Sequence, residues 1–188
     1  MSAQTGSDAL ANLLQENRRF DPPAALAAHA NVTADWYDRA HADREGFWAE
    51  QARRLSWAHE WSSVLDWSQP PFAKWFVGGR LNVAYNCLDR HVEAGHGDRV
   101  AYHWVGEPGD TRTITYAELT RMVCQAANAL TDLGVQAGDR VAIYLPMIPE
   151  AVVAMLACAR IGAVHTVVFG GFSSSALRDR IQDCDARV

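Results

Sequence analysis

Two adjacent glycines that follow an apolar run are the residues of this sequence best placed to contact a ligand. Phe169, Gly170, Gly171 and Phe172 come directly after the β-branched run of residues 164–168. A glycine pair lets the backbone bend sharply, or lets a flat ring lie against the bare main chain. A Gly-Gly dipeptide alone is more typical of a tight turn. Spacing therefore favours a turn, and contact with a ligand stays open as the second interpretation.

Other residue types that could do chemistry occur without partners at a useful spacing. Cys87 and His91 are four residues apart and would share one helical face, as metal ligands do. No third and fourth ligand follow at a suitable spacing, so the pattern favours a packed cysteine beside a surface histidine. His165 is expected to be a core or interface residue of a strand. The chain has neither a GxxxxGK[ST] nor a GxGxxG motif, and we assign no catalytic residue and no metal ligand.

The elements around the glycine pair read as one strand-helix-strand unit. Residues 141–145 and 164–168 are apolar and short enough for strands, and Pro149 suits the first turn of a helix between them. Gly162 is placed to end that helix in the left-handed conformation. The two strands should be parallel, and ligands of such sheets collect at the carboxyl ends of the strands. Three serines after Phe172 predict the cap of a further helix over residues 176–181.

The segment before this unit predicts a hairpin and a long amphipathic helix. Residues 99–104 and 111–115 read as two strands joined by a turn. Thr115 and Glu118 have the spacing of a capping box, which starts a helix that runs to Leu133. The inner face of this helix is expected to consist of residues in a three-four rhythm: Leu119, Met122, Val123, Ala126, Leu130 and Leu133.

The first half of the chain predicts helices and a tryptophan-rich segment. Helices are expected over residues 34–41, 44–55 and 81–92, the last with Asn82 as its cap and Gly95 as its stop. Between the second and third lie Trp57, Trp61, Trp67 and Trp75. Because few basic residues surround these tryptophans, we interpret them as apolar anchors of an irregular segment rather than as a base-stacking site.

Composition excludes several functional classes. The 188 residues carry a net charge of −5, which does not favour nucleic acid or anionic lipid. The sequence contains no run of about 18 apolar residues, the length that a membrane-spanning helix requires. The four scattered cysteines are typical of reduced thiols in a cytoplasmic protein.

Three long stretches resemble the AMP-forming acetyl-coenzyme A synthetases, the acetate–CoA ligases of the adenylate-forming superfamily. They read PPFAKWFVGGRLNVAYNCLDRHVE, GEPGDTRTITYAEL and YLPMIPEAVVAMLACARIGAVHTVVFGGFS. The resemblance implies an α/β fold, with a helical N-terminal cap followed by the first βαβ part of the large adenylate-forming domain. It divides the chain into a flexible extension (1–32), the cap (33–95) and an incomplete start of the AMP-binding domain (96–188).

The resemblance also implies chemistry. These enzymes join acetate to ATP as an acetyl-adenylate, release diphosphate, and transfer the acetyl group to CoA, with Mg²⁺ as cofactor. Phe169, Gly170 and Gly171 correspond to the backbone shelf beside the adenine of CoA. The residues by which these enzymes hold ATP, Mg²⁺ and acetate have no counterpart in this chain. The chain alone is therefore expected to be inactive, to bind no cofactor tightly, and to need the remainder of a synthetase as its partner.

Two other interpretations remain open. A synthetase for propionate would share these stretches, because the residues that select the acyl group have no counterpart here. A non-catalytic interaction module would instead use the tryptophan-rich segment as its contact surface. If the chain is a truncated synthetase, a bare sheet edge should promote aggregation or broad melting.

Overall fold

The computed structural model describes residues 18–188, and the chain divides into two compact units, Met1–Arg44 and Glu45–Val188. In the first unit lie the helices α1 (Ala24–Ala28) and α2 (Asp35–Ala42), neither of which has a fully buried residue. Helix α3 (Arg44–Ala52) begins at the boundary and buries Ala49 and Ala52. The predicted helices over residues 34–41 and 44–55 are thus confirmed, although α3 ends three residues early.

The tryptophan-rich segment forms a hairpin, so the prediction of an irregular segment is wrong. Strands β1 (Ser63–Gln69) and β2 (Phe72–Val77) pair antiparallel, with two prolines as the turn between them. The prolines and the exposed polar residues of β1 hide the strand pattern, because little of this hairpin is buried. The anchoring role is correct for Trp57 and Trp61, whose rings lie 5.0 Å apart.

Residues 83–96 form one helix with two π-helical segments, Tyr85–Asp89 and Val92–His96. As predicted, Asn82 caps the 83–96 helix: its Oδ1 accepts a hydrogen bond of 3.1 Å from the Tyr85 N–H. Gly95 has a φ of 80° near the end, which fits its predicted role as the stop. The π-helical character was not predicted, because an apolar face at 3.6-residue spacing does not reveal the hydrogen-bond pattern.

The predicted hairpin and long helix are confirmed. Strands β3 (Val100–Val105) and β4 (Thr111–Thr115) pair antiparallel, and α4 (Tyr116–Asp132) follows them. Both bonds of the capping box form: Thr115 Oγ1 accepts from the Glu118 N–H, and the Glu118 carboxylate accepts from the Thr115 N–H. Leu133 is 64% exposed, so its assignment to the inner face is wrong. It lies at the C-cap, beyond the last turn that packs on the core.

The strand-helix-strand unit forms as predicted. Strands β5 (Arg140–Leu145) and β6 (Val164–Phe169) are parallel and are joined by α5 (Pro149–Ile161), which ends at Gly162 with a φ of 75°. Ser173 caps α6 (Ser174–Cys184) by accepting from the Ala176 N–H. After α6, the last two residues hydrogen-bond with β5: the Arg187 N–H donates to Arg140 O, and the Ala142 N–H donates to Val188 O.

Two apolar clusters stabilise the second unit, and α5 contributes to both. The first cluster brings together the 83–96 helix, β4, α4 and α5 through Leu88, Ile114, Leu119, Val123, Ala127, Val153 and Ala157. The second lies between α5 and β5 and consists of Val135, Val141, Ile143, Cys158 and Ala163. Helix α5 is therefore the element through which the parallel strands are fixed to the rest of the unit.

The C-terminal end of α5 is held by two side chains, one from the residue that caps the 83–96 helix and one from the middle of that helix. Asn82 Nδ2 donates to the carbonyl oxygens of Ala159 and Arg160, each at 3.1 Å. The Arg160 guanidinium forms a two-pronged ion pair with Asp89, at 3.1 and 2.7 Å. Both of these charged side chains are only 23% exposed, and the bond from Asp89 raises the pKa of Arg160. The pair is thus shielded from solvent far more than an ordinary surface ion pair.

The capping box predicts a dependence of stability on acid. The pKa of Glu118 lies below its ordinary value of 4.5, mainly because the carboxylate accepts a hydrogen bond from the Thr115 N–H. A lowered folded pKa contributes stability above 4.5 that is lost as the pH falls through the folded pKa. We expect Glu118→Gln, which keeps an oxygen for the box but cannot titrate, to flatten the fall in the free energy of unfolding below pH 4.5. Urea unfolding followed by tryptophan fluorescence measures this slope.

Glu107→Gln is the matched control, because it removes one carboxylate from the exposed loop between β3 and β4. It should leave the pH slope of the unsubstituted chain unchanged. Equal slopes for Glu118→Gln and the unsubstituted chain would contradict the contribution of the capping box.

Candidate functional site

Residues 169–172 form a tight turn at the carboxyl end of β6. The Phe172 N–H donates to Phe169 O at 3.0 Å, with Gly170 and Gly171 at the two central positions. Neither glycine has a positive φ, so the backbone of this turn does not itself require glycine. The turn interpretation is correct, and any requirement for glycine here must come from neighbouring atoms rather than from φ.

Close approach of a ring explains one of the two glycines. A Cβ on Gly171 would lie 2.8 Å from Cε1 of Phe169, closer than carbon atoms normally approach. A Cβ on Gly170 would have its nearest neighbours at 3.6 Å, which is ordinary contact. A flat ring does lie against the bare main chain, but it is not a ligand. The ring is the chain's own Phe169.

Tyr144 holds the 169–172 turn against the neighbouring strand. Its hydroxyl lies 3.0 Å from Gly170 O and 3.0 Å from Phe172 O, and its single hydrogen can be donated to either. The parallel register aligns Tyr144 with Val168, so the side chain reaches just past the end of β6. Sequence reasoning missed Tyr144, because these contacts span 26 and 28 residues and depend on that register.

The turn presents aromatic rings and a cation to solvent. The rings of Phe169 and Phe172 meet edge to face at 6.0 Å, and the Arg180 guanidinium carbon lies 4.4 Å from the centre of the Phe172 ring. Phe169 is 65% exposed. We call Phe169, Phe172 and Arg180 the aromatic platform. A platform of this kind can stack a flat heterocyclic ring on one face and attract negative charge nearby.

An apolar cavity of about 330 Å³ adjoins the platform. It lies at the carboxyl ends of β5 and β6 and is lined from β3, the loop after β5, and α5. Phe169 is part of its wall, whereas Gly170 and Gly171 are not. The Trp104 indole N–H donates to Met147 O at 2.8 Å, which fixes β3 against the loop after β5. The lining residues are almost all apolar, which suits packing rather than acid-base or nucleophilic chemistry.

The other candidate residues do not come together. Cys87 is exposed and His91 is half-buried with its ring 5.1 Å from Tyr116, so the expected arrangement of a packed cysteine and a surface histidine is reversed. The two positions lie on a helix whose π-helical turns rotate side chains relative to an α-helix. His165 is exposed rather than part of a core. Within residues 18–188, no three His, Cys, Asp or Glu side chains are grouped as a metal site.

Comparison with known proteins identifies the family. A profile described as "AMP-binding enzyme" matches residues 88–188, more than half of the chain. The chain belongs to the AMP-binding enzyme family. A second profile, described as "Acetyl-coenzyme A synthetase N-terminus", matches residues 33–87. The resemblance to acetyl-coenzyme A synthetases and the predicted α/β fold are therefore confirmed. In the described part of this AMP-binding family member, no helix is both long and apolar enough to cross a membrane.

Relatives that share most of this chain are named acetyl-coenzyme A synthetase. The protein from Streptomyces avermitilis is 73% identical over 182 residues, which is 97% of this chain and 28% of the relative. The Mycobacterium tuberculosis protein is 66% identical over 170 residues, 90% of this chain and 26% of the relative. The Deinococcus radiodurans protein is 53% identical over 97% of this chain. The chain thus spans little more than a quarter of the length of these relatives.

The close approach at Gly171 predicts a local effect of substitution. In Gly171→Ala, the new Cβ should displace the Phe169 ring, because the ring is exposed and can rotate while the backbone φ suits alanine. We expect the free energy of unfolding to change by less than about 1 kcal/mol, as for other substitutions outside a packed core. Nuclear Overhauser effects between the Phe169 ring and residue 171 measure the displacement. Gly170→Ala is the matched control and should leave these effects unchanged; a Gly171→Ala spectrum identical to that of the control would contradict the argument.

Proposed function

We propose that this chain forms the N-terminal region of an AMP-forming acetate–CoA ligase. Such an enzyme converts acetate, ATP and CoA into acetyl-CoA, AMP and diphosphate through an acetyl-adenylate. The observation that carries the proposal is the 73% identity over 97% of the chain to a protein named acetyl-coenzyme A synthetase. The match of residues 33–87 to the N-terminus of that same class of synthetase supports it.

Within this function, the 169–172 turn is proposed to lie beside the adenine of CoA. Phe169, Gly170 and Gly171 are the residues that the resemblance assigns to this shelf. Three observations support the assignment: the turn ends a parallel strand, Phe169 is exposed, and a guanidinium accompanies the rings. Ligands of open α/β sheets bind outside the carboxyl ends of the strands, which is where the turn lies.

ATP, Mg²⁺ and acetate are assigned to other parts of such an enzyme. Mg²⁺ prefers carboxylate oxygens, and residues 18–188 contain no group of three potential ligands, so these residues do not fit the ion. The sequence contains no GxxxxGK[ST] phosphate loop. We therefore derive no step through the metal. The chain alone is proposed to be inactive and to bind none of these groups tightly.

The remainder of a synthetase chain is the proposed partner. In residues 18–188, β6 pairs only with β5, and its side chains Val164, Val167 and Phe169 are 54%, 50% and 65% exposed. A strand with one unpaired edge and apolar side chains on its surface is a template for a further strand. The four free cysteines, one of them buried in α5, suit the proposed cytoplasmic location.

The two alternatives differ in what they require. A propionate-specific enzyme would use this region in the same way, so only the acyl substrate distinguishes it. An interaction module would act through the β1–β2 hairpin, whose Trp67, Phe72 and Trp75 are 51%, 75% and 41% exposed. That exposure is the observation that favours the second alternative.

A chimera tests the proposed function. We would replace the 182 matching residues of the Streptomyces avermitilis synthetase with those of this chain and measure acetyl-CoA formation. The chimera is expected to retain kcat/KM for acetate within about tenfold of the relative, because a scaffold that is 73% identical should preserve transition-state contacts made elsewhere. The chain alone should release no diphosphate from ATP and acetate.

A folded chimera without acetate-dependent activity would contradict the proposal. Turnover by the 188-residue chain alone would contradict the assignment of ATP and Mg²⁺ to other parts of the enzyme.

A further inference from the structure

The Tyr144 hydroxyl is the side-chain group that ties β5 to the 169–172 turn. It lies 3.0 Å from the carbonyl oxygens of both Gly170 and Phe172, on either side of Gly171. The turn has one hydrogen bond of its own, between the Phe172 N–H and Phe169 O. Without the hydroxyl, neither carbonyl would have a donor on the side that faces β5, and only the internal bond of the turn would remain.

Movement of the turn backbone would directly change the position of the Phe169 ring. The Phe169 ring packs against the main chain of Gly171, and a Cβ there would lie only 2.8 Å from the ring. The position of the Phe169 ring relative to the carboxyl ends of the strands therefore depends on the position of the Gly171 backbone. That position is set in turn by the carbonyls on either side, which face Tyr144.

We propose that Tyr144 is a positioning residue for the nucleotide end of CoA. It fixes the turn so that the Phe169 ring and the Gly171 backbone offer a preformed surface to the adenine. The inference rests on the proposed function and adds to it a residue that does not itself touch CoA. A preformed surface binds more tightly because less of the binding free energy is lost in ordering it.

The test uses Tyr144→Phe in the chimera, since phenylalanine keeps the ring and removes only the hydroxyl. The KM for CoA is expected to rise about threefold to tenfold, the range that the loss of one hydrogen bond produces. The formation of acetyl-adenylate, measured as acetate-dependent exchange of diphosphate into ATP, should not change. Pantetheine, which has the reactive thiol but no adenine, should be used equally well by both proteins.

Tyr85→Phe is the matched control. It removes a tyrosine hydroxyl that donates to Glu93 at 2.7 Å on the surface of the 83–96 helix, away from the turn. Its KM for CoA should equal that of the unsubstituted chimera. Amide hydrogen exchange at Phe172 should be faster in Tyr144→Phe and unchanged in the control, because the turn opens more often without the hydroxyl.

Three results would contradict these proposals. An unchanged KM for CoA in a folded Tyr144→Phe chimera would overturn the inference. So would an equal loss with pantetheine, since that would indicate a general structural defect. An unsubstituted chimera that forms no acetyl-CoA would overturn the proposed function, and the inference with it.

Discussion

The hydrogen bonds and the ion pair that join the 83–96 helix to the C-terminal end of α5 are the constraint on which the rest of the structure depends. The last carbonyls of a helix lack partners within it, and at this end the side-chain amide of Asn82 supplies two of the missing donors. The same side chain accepts the Tyr85 N–H and so begins its own helix. The Arg160–Asp89 pair then fixes the direction in which the two helices meet. Because these two side chains are mostly buried, loss of one partner would leave a charge that solvent cannot easily compensate.

The position of α5 determines the position of the candidate site, because α5 is covalently joined to both parallel strands and packs against them. Helix α5 joins the two parallel strands and buries Val153, Ala157 and Cys158 between them and α4. Strand β6 therefore ends at a defined height beside β5, where Tyr144 meets the 169–172 turn. Residues from the profile of the synthetase N-terminus thus stabilise an element of the AMP-binding part. The two matched regions meet at Asn82 rather than lying in sequence as independent pieces.

Local signals predicted most of this fold, and long-range contacts supplied what the sequence could not show. The capping box of Thr115 and the left-handed Gly162 were predicted correctly, because each depends on a few neighbouring residues. The β1–β2 hairpin was missed because its turn is made of prolines and its strands are only partly buried. At the site, spacing predicted the turn, but the role of Tyr144 required the register of β5 against β6. The second role of Asn82 was equally hidden, since its partners lie 77 and 78 residues away.

Hydrogen–deuterium exchange in Asn82→Ala is the most direct measurement of this constraint. Faster exchange is predicted in two places, the first turn of the 83–96 helix and the last turn of α5, because one side chain serves both. Asn86→Ala is the control: Asn86 also bonds main-chain groups, but its long-range partner is Ser56 rather than α5. Loss of protection in α5 for Asn82→Ala and not for Asn86→Ala is the predicted result. Unchanged protection in α5 of Asn82→Ala, with the 83–96 helix alone affected, would contradict the account.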